Sequence, residues 1–128
     1  LIEVYTDGAS SGNPGLSGAG IYIKTGGRTH EYSFPLGILS NHEAEFHAVI
    51  KALGICRRHF PAEILSFRSD SRVVVDVIEK GYTKNKTFLP LLEKINEEAD
   101  HFPHFFIKWI PEKKNGNADK LARKAIHL

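Results

Sequence analysis

Four acidic residues, Asp7, Glu45, Asp70 and Asp119, occupy positions where a charge serving only solubility has no need to be. Asp7 follows the alternation Ile2-Glu3-Val4-Tyr5-Thr6, the period of a half-buried strand, which Asp7-Gly8 is expected to end. Asp70 closes a second short strand, 63–69. Parallel strands in an open sheet bring their carboxyl ends together, and ligands bind there. Taken singly, Asp7 also suits an Asp-Gly turn and Asp70 a helix N-cap. Glu45 says more, because it shares a helical stripe with Val49, Ala52 and Cys56 and so faces the sheet. A carboxylate there is costly unless it meets a cation, a metal or solvent at the helix end. Glu43 belongs instead to a capping box with Ser40. Asp119 lies in the first turn of the last helix, where the helix dipole is reason enough for an acid.

Competing chemistries fail on spacing. His42-Glu43 is followed by Phe46 where a zinc-protease helix needs its second histidine, and His47 comes one place late. The turn Gly12-Asn13-Pro14-Gly15 lacks the Gly-Lys-Ser/Thr ending of a phosphate-binding loop. Ser10 and Ser11 sit in no nucleophile-elbow pattern.

The elements that must position the acids follow from periodicity. Strands are expected over 2–7, 19–24 and 29–34, the last two joined through Gly26-Gly27 as a hairpin, with Gly12-Asn13-Pro14-Gly15, inside the small-residue stretch 8–20, read as turn. From Ser40 the period becomes helical through Ala48, Val49, Ala52, Leu53, Cys56 and Phe60. After the strand 63–69, Asp70-Ser71 opens a helix carrying Val74, Val77 and Ile78, and 89–99 forms another with Pro90 in its first turn. A strand over 104–110 and a helix from Asn115 with Ala118, Leu121, Ala122, Ala125 and Ile126 on one face complete the order β-β-β-α-β-α-α-β-α. That order implies a mixed sheet with helices packed on it.

Composition fits a single domain over 1–128: 128 residues, 41% hydrophobic and 25% charged. Cys56 is the only cysteine, which excludes an intrachain disulfide, and its simplest role is a small apolar core residue. No apolar run approaches a membrane span and the start shows no signal-peptide pattern, so the expected location is the cytoplasm. The formal charge of +2 permits a polyanionic partner without demanding one.

Four motifs in order carry a family resemblance: Thr6-Asp7-Gly8-Ala9-Ser10 with Gly12-Asn13-Pro14-Gly15, then Asn41-His42-Glu43-Ala44-Glu45, then Ser69-Asp70-Ser71, then Asn115-Gly116-Asn117-Ala118-Asp119. Together they span nearly the whole chain, which resembles type 1 ribonuclease H. The resemblance implies an α/β, ribonuclease H-like fold: a five-stranded mixed sheet, a three-strand antiparallel meander plus parallel strands, flanked by helices. It implies a monomeric endonuclease that hydrolyses the RNA strand of RNA/DNA hybrids with two magnesium or manganese ions, needing no obligate protein partner and no membrane. The ions would be held by Asp7, Glu45, Asp70 and Asp119, hard oxygen donors of the kind magnesium prefers. Asn13 and Asn41 would read the ribose 2′-hydroxyl, for which an amide that both donates and accepts is suited. Ser10, Ser71 and Asn115 would join them at the substrate.

The chain departs from the family in two places. The loop 109–114 holds no histidine, where many members carry one that assists proton transfer or product release, and Glu112 is the nearest substitute. Loss of an acid/base helper costs about 10²- to 10⁴-fold. The extra basic, tryptophan-bearing helix of several members is represented only by Lys80, Lys84 and Lys86. Lys113, Lys114, Lys120, Arg123 and Lys124 offer phosphate contacts near the site, with solubility as their default role. The alternative function is therefore a weakly active or inactive module that binds nucleic acid without productive turnover.

Overall fold

The computed structural model describes residues 1–128. Five strands, β1 (Ile2–Ser10), β2 (Gly15–Thr25), β3 (Arg28–Leu39), β4 (Ile64–Ser69) and β5 (His104–Trp109), form one sheet in the order β3-β2-β1-β4-β5. The meander β1-β2-β3 is antiparallel, and β1-β4 and β4-β5 are parallel. Four helices accompany it: α1 (Asn41–His59), α2 (Arg72–Lys80), α3 (Leu89–Ala99) and α4 (Gly116–Ile126), with a short 3-10 turn over Glu112–Lys114. The expected α/β fold, with its element order and mixed sheet, is the observed one.

Three strand boundaries differ from expectation by several residues: the end of β1, the start of β2 and the end of β3. Strand β1 does not end at Asp7-Gly8: it runs on to Ser10, pairing Gly8 with Ala19 and Ser10 with Ser17, and β2 begins at Gly15. Gly8 continues the strand it was expected to end, and its lack of a side chain, like that of Gly20 in the next strand, admits a helix against the sheet. A Cβ on Gly8 would lie 2.3 Å from the carbonyl carbon of Ala44 in α1, and one on Gly20 would lie 2.0 Å from the Ala118 carbonyl oxygen in α4. Strand β3 continues past Phe34 through Pro35, tolerated because β3 is an edge strand.

Helix α1 begins with the expected capping box, in which the Glu43 N–H donates to Ser40 Oγ at 3.2 Å and the Ser40 N–H donates to Glu43 Oε1 at 3.0 Å. Its buried stripe, Phe46, Val49, Leu53 and Cys56, packs with Val4, Ile21, Leu65, Phe67, Val74 and Ile95 into one core. Full burial of side chains such as Phe46 and Phe67 stabilises by about 2–3 kcal/mol each. Helix α2 stops at Gly81, whose φ of 69° is the left-handed cap that glycine adopts without strain. Gly8 and Asp7 are neighbours in β1, so their side-chain directions oppose. Gly8 meets α1, and Gly20, which pairs with Asp7, meets α4. Helices α1 and α4 therefore cover opposite faces of the sheet. No helix is long and apolar enough to cross a membrane.

Candidate active site

The parallel pairing of β1 and β4 ends at Thr6 and Ser69, and the next residue on each chain is an acid, Asp7 and Asp70. Ladder geometry thus places the two carboxylates side by side where the strands part. Gly8 lets the α1 backbone settle on β1, which brings Glu45 over the same point. Carboxylate oxygens of Asp7, Glu45 and Asp70 lie within 4.8 Å of one another. Asp119 comes from α4 on the other face and joins them, with Ser10, Asn41 and Glu112, in the wall of one cleft of about 740 Å³.

The cluster is short of positive charge. Asp7 is only 7% exposed, and neither it nor Asp70 has a lysine, arginine or histidine within ion-pair distance. Burial, reinforced by the charges of Asp70, Glu45 and Asp119, pushes the Asp7 carboxyl up to about 9. Burial also raises Glu45, against the opposing hydrogen bond with Ser71, and the Asp70 charge adds to the rise. Asp70 is raised by burial and by Glu112 and Asp119, while Asn115 holds it back. Acids that repel one another, with Asp7 and Asp70 unpaired by any cationic side chain, suit one class of occupant, a hard divalent cation with oxygen preference.

The remaining expected site residues divide in two. Ser10 and Asn41 line the cleft, and Asn13 sits just outside it, its Oδ1 accepting the Asn41 N–H at 3.0 Å. Ser71 and Asn115 are buried, at 7% and 1% exposure, and do not line the cleft. Ser71 caps α2 by accepting the Val74 N–H at 3.3 Å, and Asn115 Nδ2 donates to the Thr6 carbonyl at 2.9 Å. Both positions brace the acids from behind. Arg123, read from sequence mainly as a surface charge, lines the cleft and holds Asp119 at 3.1 Å. Its i,i+4 spacing from Asp119 was the available signal. His127 also lines the cleft, from the end of α4, and nothing in the local sequence pointed to it.

A sheet of this order with acids at the parting of its parallel strands defines a class of metal-dependent phosphodiester-cleaving folds, and comparison with known proteins gives the member. The RNase H family model matches residues 1–127, and the chain belongs to that family. It is 42% identical to the EbsB protein of Enterococcus faecalis over 98% of this chain and 94% of that one. It is 30% identical to the ribonuclease H of Chlorobium phaeovibrioides, with coverage of 98% and 94%. The match to the ribonuclease H of Trichodesmium erythraeum is shorter, 39% identical over 65% of this chain and 51% of that protein. Among solved structures, LC11-RNase H1 in complex with an RNA/DNA hybrid superposes with a TM-score of 0.92 at 32% identity, covering 99% of this chain and 97% of that one. RNase H1 of Halobacterium salinarum gives 0.91 at 29% identity, covering 98% and 97%.

Proposed function

We propose that this chain is an endonuclease that hydrolyses the RNA strand of RNA/DNA hybrids with divalent metal ions. The observation that carries the reading is the convergence of Asp7, Glu45 and Asp70 within 4.8 Å, in a cleft that Asp119 completes. Asp7, Glu45, Asp70 and Asp119 would hold two ions, magnesium or manganese, since carboxylate oxygens suit both. Such ions, when bound, supply the acidity that ionises the attacking water and the charge that stabilises the leaving oxygen.

The chain's own residues do the rest. Ser71 and His42 orient the Glu45 carboxylate, the latter through Nδ1 at 3.5 Å. Trp109 Nε1 donates to the Asp70 carbonyl at 3.1 Å and steadies the turn that presents its carboxylate. Asn41 and Ser10 meet the RNA strand at the cleft wall and read its 2′-hydroxyl, with Asn13 setting the position of the Asn41 backbone. Ser71 and Asn115 serve the substrate by seating the acids beside it. Glu112, on the rim, takes the place of the absent loop histidine and carries the proton released in hydrolysis.

Residues 1–128 would act as one domain, as a monomer, in the cytoplasm. Four acids around one cleft favour catalysis over the binding-only alternative. The test is gel cleavage of a duplex labelled on either strand, with magnesium, manganese or chelator. Internal cuts confined to the RNA strand, and absent with chelator, are expected. An intact RNA strand under both metals would leave only binding.

A further inference from the structure

The face of the sheet that carries α4 is not fully covered: α4 lies over β1, β2 and β3, and α2 meets β4 and β5 from the other side. On the open part the register sets one residue from each of four strands in a single row, Tyr22 on β2, Tyr5 on β1, Arg68 on β4 and Lys108 on β5. Strand spacing near ~4.8 Å makes that row about 14 Å long. Tyr5 and Tyr22 meet edge to face with ring centroids 6.0 Å apart, and the Arg68 guanidinium lies 5.4 Å from the Tyr5 centroid. Lys24 stands 6.0 Å from the same ring. Two hollows of about 120 and 270 Å³ flank Tyr5 and share it and Lys114 as walls. The single acid in their lining, Glu3, is already paired with Arg68.

We propose that this row is a second nucleic-acid site, a platform for single-stranded RNA. Aromatic rings on an open sheet face accept two or three unstacked bases, and surrounding cations follow the phosphates. Here two tyrosines supply the rings, while Lys24, Arg68, Lys108 and Lys114 supply an excess of positive charge over Glu3. A protein partner would need acidic groups placed to match those cations, whereas the phosphates of any single strand supply them at regular spacing. Asn117, at the edge of the smaller hollow, can donate to and accept from a 2′-hydroxyl, which favours RNA over DNA. The 3-10 turn joins the two sites, since Glu112 lines the acidic cleft and Lys114 the platform. An unpaired RNA tail leaving a hybrid in the cleft would pass onto the row. That last step rests on the cleavage reading, but binding to the row does not.

The test is fluorescence anisotropy of a labelled single-stranded oligoribonucleotide with the native protein and with Lys24→Glu, Lys108→Glu and Tyr22→Leu, all in chelator. The charge changes fall on exposed side chains, and thermal melts confirm that each variant folds. Native binding with a log–log salt slope of about −3 is expected from four cations on a single strand. Each variant should weaken it about five-fold or more, the charge variants with a shallower slope. Cleavage of a short blunt hybrid should stay at the native rate in all of them. Absent binding, variants equal to native, equal affinity for the deoxy oligomer or for polyglutamate, or a matching loss on the blunt hybrid would each overturn the platform. The anisotropy results do not depend on whether the acidic cleft cleaves.

Discussion

The side-chain amide of Asn115 donates to the carbonyl of Thr6 at 2.9 Å, a bond spanning 109 positions of chain that fastens the start of α4 to the strand residue beside Asp7. With the packing of α4 on β1, β2 and β3, it holds an acid on α4 and an acid on β1 in one cleft. Asn115→Ala leaves a buried carbonyl without its donor, and the expected cost is about 1–3 kcal/mol in urea unfolding. Because the seat of Asp119 loosens, kcat should fall more than KM rises. Unchanged stability together with unchanged kcat would leave the bond without a role.

Gly8 and Gly54 should respond oppositely to the same change. A Cβ on Gly8 meets the Ala44 carbonyl carbon at 2.3 Å and the Glu45 nitrogen at 2.4 Å, both backbone, so Gly8→Ala must push α1 and Glu45 away. We expect a loss of about 1–3 kcal/mol and a fall in cleavage. Gly54 is an exposed position inside α1 with nothing within 4 Å, and Gly54→Ala should stabilise by about 0.5–1 kcal/mol with activity intact. Denaturant melts of the two variants beside native protein give the comparison.

Asp70→Asn should abolish cleavage and leave the fold intact, since a neutral amide does not replace an anionic metal ligand of the same shape. Circular dichroism checks the fold and hybrid cleavage the activity. Cleavage above a few per cent of native would remove Asp70 from the site.

Metal-free stability should depend on pH through Asp7. Its folded carboxyl is raised from 3.8 to about 9, so between those values the folded state holds a proton that the unfolded state has released. The slope of unfolding free energy with pH is then negative, and stability present below about pH 4 is lost progressively as pH rises towards 9. Asp7→Asn should flatten that decline and stabilise the chelated protein at pH 8. Magnesium binds only the folded, ionised site, so it should raise the native Tm and raise that of Asp7→Asn less. Melts at fixed ionic strength separate binding from screening. Parallel curves for the two proteins, with no response to magnesium, would mean that the acids do not act as one site.

Hybrid binding should weaken with salt along a log–log slope of about −2 to −4, set by the few cations near the cleft. Among these Arg123 is already engaged with Asp119 at 3.1 Å. A catalytically silent Asp70→Asn protein and a labelled hybrid give the slope by anisotropy. A flat plot would exclude a phosphate-tracking interface.

Local chemistry made several features legible in the sequence alone. The Ser40 capping box, the helical stripe that places Glu45 inward and the element order depend on neighbours a few residues apart, and each is found in the structure. The four acids stand out in the sequence because each falls in a motif near a change of pattern, and the structure sets all four in the wall of one cleft. Other features were decided only by the tertiary structure. Gly8 reads as the end of its strand, yet the strand runs through it, and there as at Gly20 helix backbones 2.0–2.3 Å from a would-be Cβ leave room for no side chain. Ser71 and Asn115 read as substrate contacts but lie buried as braces, since burial is a property of what packs above a residue and not of its motif. The entry of His127 into the cleft and the row Tyr22, Tyr5, Arg68 and Lys108 come from helix placement and strand register. Register is a pairing between distant segments, chosen by the packing of the whole sheet, and no single segment encodes it.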